Sequence, residues 1–324
     1  RGLARVGFSV AAAVGLVSLT GGLLWQISDD ERRMVEQQRN FYGTLSIKER
    51  DTGEPAHRLS LTNRRIRHGT KLQLHPTWPT SYFGPETGIA LAIQQHPKRS
   101  DTTRQFRMGV VGLGVGTLAA YGNTHVDAEQ DDASYVSVRE TGEPDYLRFY
   151  ELNPQVTRWA NGPFTFLADA RARGADVAVF GGDARIVLER QLEHGEAQRF
   201  DVLAIDAFSS DAIPIHLLTL EAVQLYLGHL QEDGILGIHV TNRFVDLLPV
   251  VQRLADASAM SAIYIQNYSS SSRQVTSCDW VLLTRNQAFL DLEIVREDEE
   301  EMPSAGPQWT DDFSSLFQVV EIDD

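Results

Sequence analysis

One cysteine in 324 residues, Cys278, leaves no internal disulfide to brace the fold. A reducing compartment suits such a chain, and in the strand-like stretch SCDWVLLT the thiol reads as a small core hydrophobe rather than a nucleophile. Metal ligands are equally sparse. The nine histidines show no HExxH or paired spacing, and a single cysteine builds no zinc cluster, so no metal is expected. No GxSxG elbow surrounds Ser209 and Ser210, which removes a serine hydrolase from consideration. Positive charge is also short. With 29 Lys and Arg against 44 Asp and Glu, the formal net charge of −15 argues against a nucleic-acid partner and suits cationic small molecules.

Long apolar runs occur in one place. Val6 to Ile27 carries no charge over 22 positions, enough at about 1.5 Å per residue to cross roughly 30 Å of hydrocarbon, so a transmembrane helix is expected within residues 1–28. Gly7, Gly15, Gly21 and Gly22 are tolerated in such a helix, and Trp25 sits where an interfacial aromatic belongs. A signal peptide or a buried helix is the competing reading. The chain opens on Arg1, and further helices upstream are expected.

What is present begins with RMGVVGLGVGTLAAYG, Arg107 to Gly122. A short apolar run feeds into Gly112, Gly114 and Gly116 and then into helix-forming residues: a strand, a tight turn and a helix start. Glycine there admits positive φ and lets a ligand lie against bare peptide N–H groups. Three more apolar runs end in acids: LRFYE at Glu151, VAVFGGD at Asp183 and FDVLAID at Asp206. Strands ending in carboxylates beside a glycine turn describe the ligand-binding edge of an open α/β sheet. Glu151, ending the second strand, is placed to accept hydrogen bonds from ribose hydroxyls, an ordinary exposed strand-end acid being the alternative. It arrives 35 residues after Gly116, where a compact fingerprint has about 20. The surplus falls in the polar segment Asn123 to Asp145, expected as a surface insertion bearing Asp127, Glu129, Asp131, Asp132 and Glu143.

GLGVGT, FYELNP, GDAR and FDVLAIDAFSSDAIP, with the closing WTDDFSSLF, resemble the spermidine synthase family, especially its membrane-fused bacterial members. The resemblance implies the fold of S-adenosylmethionine-dependent methyltransferases from about Phe41 onward. It implies Glu151 on the ribose, Asp183 and Ala184 facing adenine, Gly112, Gly114 and Gly116 under the nucleoside, and Asp206 as the acid that deprotonates an attacking amine. An amine with pKa near 10 is protonated at neutral pH and must lose a proton before it attacks, so a carboxylate suits the place. A helix N-cap or a salt-bridge partner is the other role open to Asp206. No metal is implied, because a sulfonium is already a good leaving group.

Two departures concern the acceptor. Asp206 and Asp211 are separated by four residues where soluble members have two between their acids, and Lys71 stands about where the family has a glutamine, a cation that would disfavour a polycationic amine. Tyr82 and Asp211 are the residues implied to bind the amine. Asp311 and Asp312 could reach the mouth of the site but are expected in a surface turn.

The expected architecture is α/β: a transmembrane helix at 1–28, a charged connector at 29–40, a small β region at 41–84, a Rossmann-like methyltransferase-type domain at 85–290 and an acidic linker and tail at 291–324. The acidic run Glu297 to Glu301 is expected as a solvated loop. The expected function is an aminopropyltransferase moving the group from decarboxylated S-adenosylmethionine to an amine such as putrescine, anchored in the inner membrane with its catalytic domain in the cytoplasm. The resemblance also allows a homodimer. The rivals are a small-molecule methyltransferase using S-adenosylmethionine and a catalytically idle nucleoside-binding module in the membrane.

Overall fold

Four strands make the small N-terminal sheet. In the computed structural model, which describes residues 15–22, 24, 26, 28, 32–63, 66–126, 136–139, 142–207, 213–242, 244–271 and 274–320, the strands β1 (Met34–Asn40), β2 (Gly43–Arg50), β3 (Arg58–Asn63) and β4 (Ile66–Leu72) pair antiparallel in that order. Leu45, Ile47 and Leu61 bury one face. The residues of β1 were expected as a connector. MVEQQRN shows no apolar alternation because it is an edge strand with most side chains in water, and its strand form comes from pairing with β2. Between β3 and β4 the register slips: Leu61 pairs with Gly69 and Thr62 with Arg67, so His68 is the extra residue of a bulge.

The transmembrane expectation over Val6–Ile27 is corrected. Among the described residues no helix is long and apolar enough to cross a membrane. Residues 1–14, 23, 25 and 27 of the expected span lie outside the described residues. The inner-membrane location is corrected with it, and no described helix supports the membrane partner that rested on the same span.

The larger sheet begins with β5 (Arg107–Val111). After the glycine turn comes a single 3-10 turn, Thr117–Tyr121, rather than the expected α-helix, because Gly122 and left-handed Asn123 (φ 53°) end it at once. The strands β6 (Thr124–Val126) and β7 (Val136–Val138) then pair antiparallel within the expected insertion. Asp127, Glu129, Asp131 and Asp132 lie outside the described residues. Buried Asp145 pins the base of this hairpin by accepting from the Arg99 guanidinium at 2.6 Å and the Asn123 N–H at 2.8 Å.

The remaining strands are β8 (Tyr146–Glu151), β9 (Asp176–Gly181), β10 (Phe200–Ile205), β11 (Leu230–His239), β12 (Ser261–Asn267), β13 (Cys278–Thr284) and the short edge β14 (Glu299–Glu300). They lie in the order β14-β12-β13-β11-β10-β5-β8-β9. The five strands from β11 to β9 are parallel, β13 runs antiparallel to β11, and β12 runs antiparallel to β13. This is the α/β, Rossmann-like order of methyltransferase-type sheets. The chain winds outward through β5, β8 and β9, then returns to β10 on the other side of β5, so a crevice opens beyond the strand ends between β5 and β10. All six residues of β10 are buried, as its continuous apolar run requires of a central parallel strand. Two of the five acids in the run expected as a loop, Glu299 and Glu300, instead form the exposed edge β14.

Candidate active site

The cleft forms where the small sheet leans over that crevice. Its walls include Leu45, Leu61 and His68 from the small sheet, Gly112 and Gly114 from the glycine turn, and Glu151, Asp183, Ala184, Tyr82 and Asp206. Gly116 stands outside these walls and caps the 3-10 turn. Two glycines are required by contact. At Gly112 (φ 98°) a Cβ would lie 2.4 Å from the backbone oxygen of Asp206, and at Gly114 (φ 53°) 2.4 Å from that of His68. The turn is therefore wedged between the end of β10 and the bulge of the small sheet.

Glu151 ends β8 with both carboxylate oxygens on backbone donors. Leu113 N–H donates to Oε2 at 3.1 Å and Asn153 N–H to Oε1 at 2.7 Å. The first bond ties the strand end to the glycine turn and fixes the carboxylate at the cleft wall; each oxygen keeps a second lone pair for a hydroxyl. Burial pushes Glu151 up to about 7, against the pull of those N–H groups.

Asp183 caps the helix Ala184–Glu193, its Oδ1 accepting from Arg185 N–H at 3.0 Å and Ile186 N–H at 3.3 Å. His216 meets its Oδ2 at 3.0 Å. Asp311 does not enter the cleft. It forms a two-pronged ion pair with Arg185 and accepts from Thr219 Oγ1 at 2.8 Å, docking the tail against the outer side of that helix.

Asp206 follows β10 and its side chain is 8% exposed. Its Oδ1 lies 2.6 Å from His239 Nδ1, and His239 Nε2 lies 2.8 Å from Thr241 Oγ1, which accepts the Asp279 N–H at 2.7 Å. The bonds run one way. With Asp206 ionised, Nδ1–H donates to it, Nε2 accepts the Thr241 hydroxyl, and every partner is satisfied. The imidazole is stacked on Trp280 (4.7 Å, 12° between planes) and faces Tyr82 (4.7 Å, 30°). Burial raises the proton affinity of Asp206, while the hydrogen bond from His239 and the nearness of the His239 and His68 imidazoles oppose the rise. Burial also pushes the Tyr82 phenol well up.

Asp211, expected beside the amine, lies outside the described residues. Lys71 does not face the cleft; its ammonium donates to the Pro163 carbonyl at 3.5 Å, so the expected repulsion of a cationic acceptor has no source there. Cys278 is buried, its thiol pushed up by burial, in keeping with a packing role. Among the described residues His96, Asp201 and Asp233 come close enough to share a metal, but Asp201 is already paired with Lys98. His68 and His239 were absent from the expected site. His239 ends its strand as the three acids do, a usable signal; the bulge that aims His68 left none.

No family model matches the chain. A polyamine aminopropyltransferase of Vibrio vulnificus (strain CMCP6) is 23% identical over 237 residues, covering 73% of this chain and 68% of the relative. By sequence, the chain is spermidine synthase-like. The spermidine synthase of Thermotoga maritima aligns with a TM-score of 0.48 and 12% identity, over 84% of this chain and 80% of that one. An O-methyltransferase of Bacillus cereus, solved in complex with SAH, aligns at 0.40 and 12%, over 61% of this chain and 82% of that one. The Vibrio vulnificus relative is a transferase by name.

Proposed function

We propose that this spermidine synthase-like chain is a transferase that moves an aminopropyl group from decarboxylated S-adenosylmethionine to an amine such as putrescine. The observation that carries the reading is the meeting of Glu151, Asp183 and Asp206 in one cleft around the glycine turn, with Asp206 buried and held by His239. Glu151 would hold the ribose hydroxyls, Asp183 and Ala184 would border the base, and Gly112 and Gly114 would present bare backbone to the nucleoside at the cleft wall. The donor supplies a carbon activated by its sulfonium.

Asp206 does the work on the acceptor. A primary ammonium with pKa near 10 cannot attack, and a carboxylate in ordinary water is a weak base toward it. Burial lifts the proton affinity of Asp206 toward that of the amine, and taking up the proton also relieves a buried charge. His239 keeps the carboxylate aimed at the cleft and ionised until then. Asp206 thus orients the ammonium, accepts its proton and leaves a neutral nitrogen beside the reacting carbon.

The test is product identification by mass spectrometry after mixing the protein with each donor and putrescine. Decarboxylated S-adenosylmethionine should yield methylthioadenosine and spermidine. Asp206→Asn should cut that turnover about 100-fold or more, the scale of general-base catalysis, with nucleoside affinity within about twofold. Release of S-adenosylhomocysteine with a methylated amine would replace the reading with methyl transfer, and no product from any amine would leave only a nucleoside binder.

A further inference from the structure

We propose that His68 is a second acceptor-binding residue, its imidazole Nε2 accepting a hydrogen bond from the attacking amino nitrogen while Asp206 takes that nitrogen's proton. The proposal rests on the aminopropyl-transfer reading and deepens it by naming a side chain that sorts acceptors.

Three observations place the residue. The bulge in β4 makes His68 the one unpaired position between Arg67 and Gly69 and turns its side chain to the cleft wall. Its carbonyl oxygen is the atom that Gly114 must admit, so the bulge is fixed against the glycine turn. Nε2 is buried with no hydrogen-bond partner in the protein, in the same cleft as Asp206 and Tyr82. A polar nitrogen left unmet at a cleft wall is costly unless a ligand meets it. Burial also lowers the proton affinity of His68, which keeps the imidazole neutral and a lone pair ready to accept.

The bonds balance. Of the three N–H groups of a primary ammonium, one proton passes to the Asp206 carboxylate and a second N–H donates to His68. The lone pair set free forms the new C–N bond as the C–S electron pair withdraws onto sulfur, leaving a neutral thioether and an ammonium product. The arrangement selects the nucleophile. An amine that has lost one proton still carries an N–H for His68, whereas a thiolate or alkoxide has no hydrogen left to give, so amines are preferred over thiols and alcohols.

The experiment compares His68→Leu with His68→Gln, whose amide oxygen can still accept. With decarboxylated S-adenosylmethionine and putrescine, His68→Leu should raise the acceptor KM about tenfold or more, the scale of one hydrogen bond to a buried partner, with donor affinity within about twofold. His68→Gln should restore most of the loss. An unchanged acceptor KM in His68→Leu, or His68→Gln as impaired as His68→Leu, overturns the proposal. A fall in donor affinity with acceptor KM unchanged also overturns it and moves His68 to the donor side. Calorimetric titration of putrescine into protein saturated with methylthioadenosine needs no turnover. If the wild type binds putrescine but transfers nothing, aminopropyl transfer fails while His68 is still judged by whether His68→Leu weakens that binding; if the wild type binds no putrescine, the His68 proposal fails.

Discussion

Glu151→Gln should separate stability from function. The Glu151 carboxylate is held by two backbone N–H groups yet is still pushed up to about 7, so the cost of burying its charge exceeds what those bonds return. Its proton affinity is raised on folding, so this contribution to stability is present below the ordinary carboxylate range near 4.3 and is lost as pH rises through about 7. Glutamine carries no charge to bury. It keeps one oxygen for the short Asn153 bond and sets an amide N–H against Leu113 N–H, but the variant should lose the fall in melting temperature that the Glu151 carboxyl is expected to give the wild type between pH 5 and 8.

Nucleoside binding should move the opposite way. Ribose hydroxyls donating to an ionised carboxylate are charge-assisted bonds of about 1.5–3 kcal/mol, so at pH 8.5 the variant should bind methylthioadenosine about 10- to 100-fold more weakly. At pH 6 the wild type must first lose a proton, at about 1.4 kcal/mol per pH unit below its own value, so the gap should shrink about tenfold. Calorimetry in buffers of different ionisation enthalpy should show the wild type releasing a proton on binding at pH 6 and the variant none. An equal loss of affinity for methylthioadenosine and its 2′,3′-dideoxy analogue, or proton release unchanged by the substitution, would sink the ribose assignment.

Gly114→Ala sets a Cβ 2.4 Å from the His68 carbonyl oxygen at φ 53° and should cost about 2 kcal/mol or more in urea unfolding; an unaltered midpoint would refute the wedge between turn and bulge. Replacing His239 by alanine removes the donor that opposes the burial shift of Asp206, so the acidic limb of the pH–rate profile should move to higher pH. A limb that stays in place would show that His239 only fills space.

The parts of the fold that were legible are those whose burial leaves a continuous signature. FDVLAI is apolar throughout because β10 is covered on both faces, and the acids that follow such runs fall at strand ends, where the crevice is. The same logic brought Glu151, Asp183 and Asp206 together before any coordinates. What stayed hidden depends on pairing rather than pattern. β1 is a strand because β2 is beside it, and His68 enters the cleft because Leu61 and Thr62 take partners one residue out of step. Lys71 was misplaced for a related reason: distance along β4 does not say where a long side chain ends, and here its ammonium reaches Pro163.

The stacking of His239 on Trp280 gives the molecule an optical gauge of its own cleft. Indole emission responds to what lies against the ring face. Trp280 is fully buried with its Nε1–H on the Tyr82 carbonyl at 3.2 Å, so solvent contributes little to its signal. Any displacement of the His239 imidazole, which is tied to Asp206, should therefore register as a change in fluorescence, isolated by subtracting the spectrum of Trp280→Phe. Filling of the cleft could be followed in real time without a label.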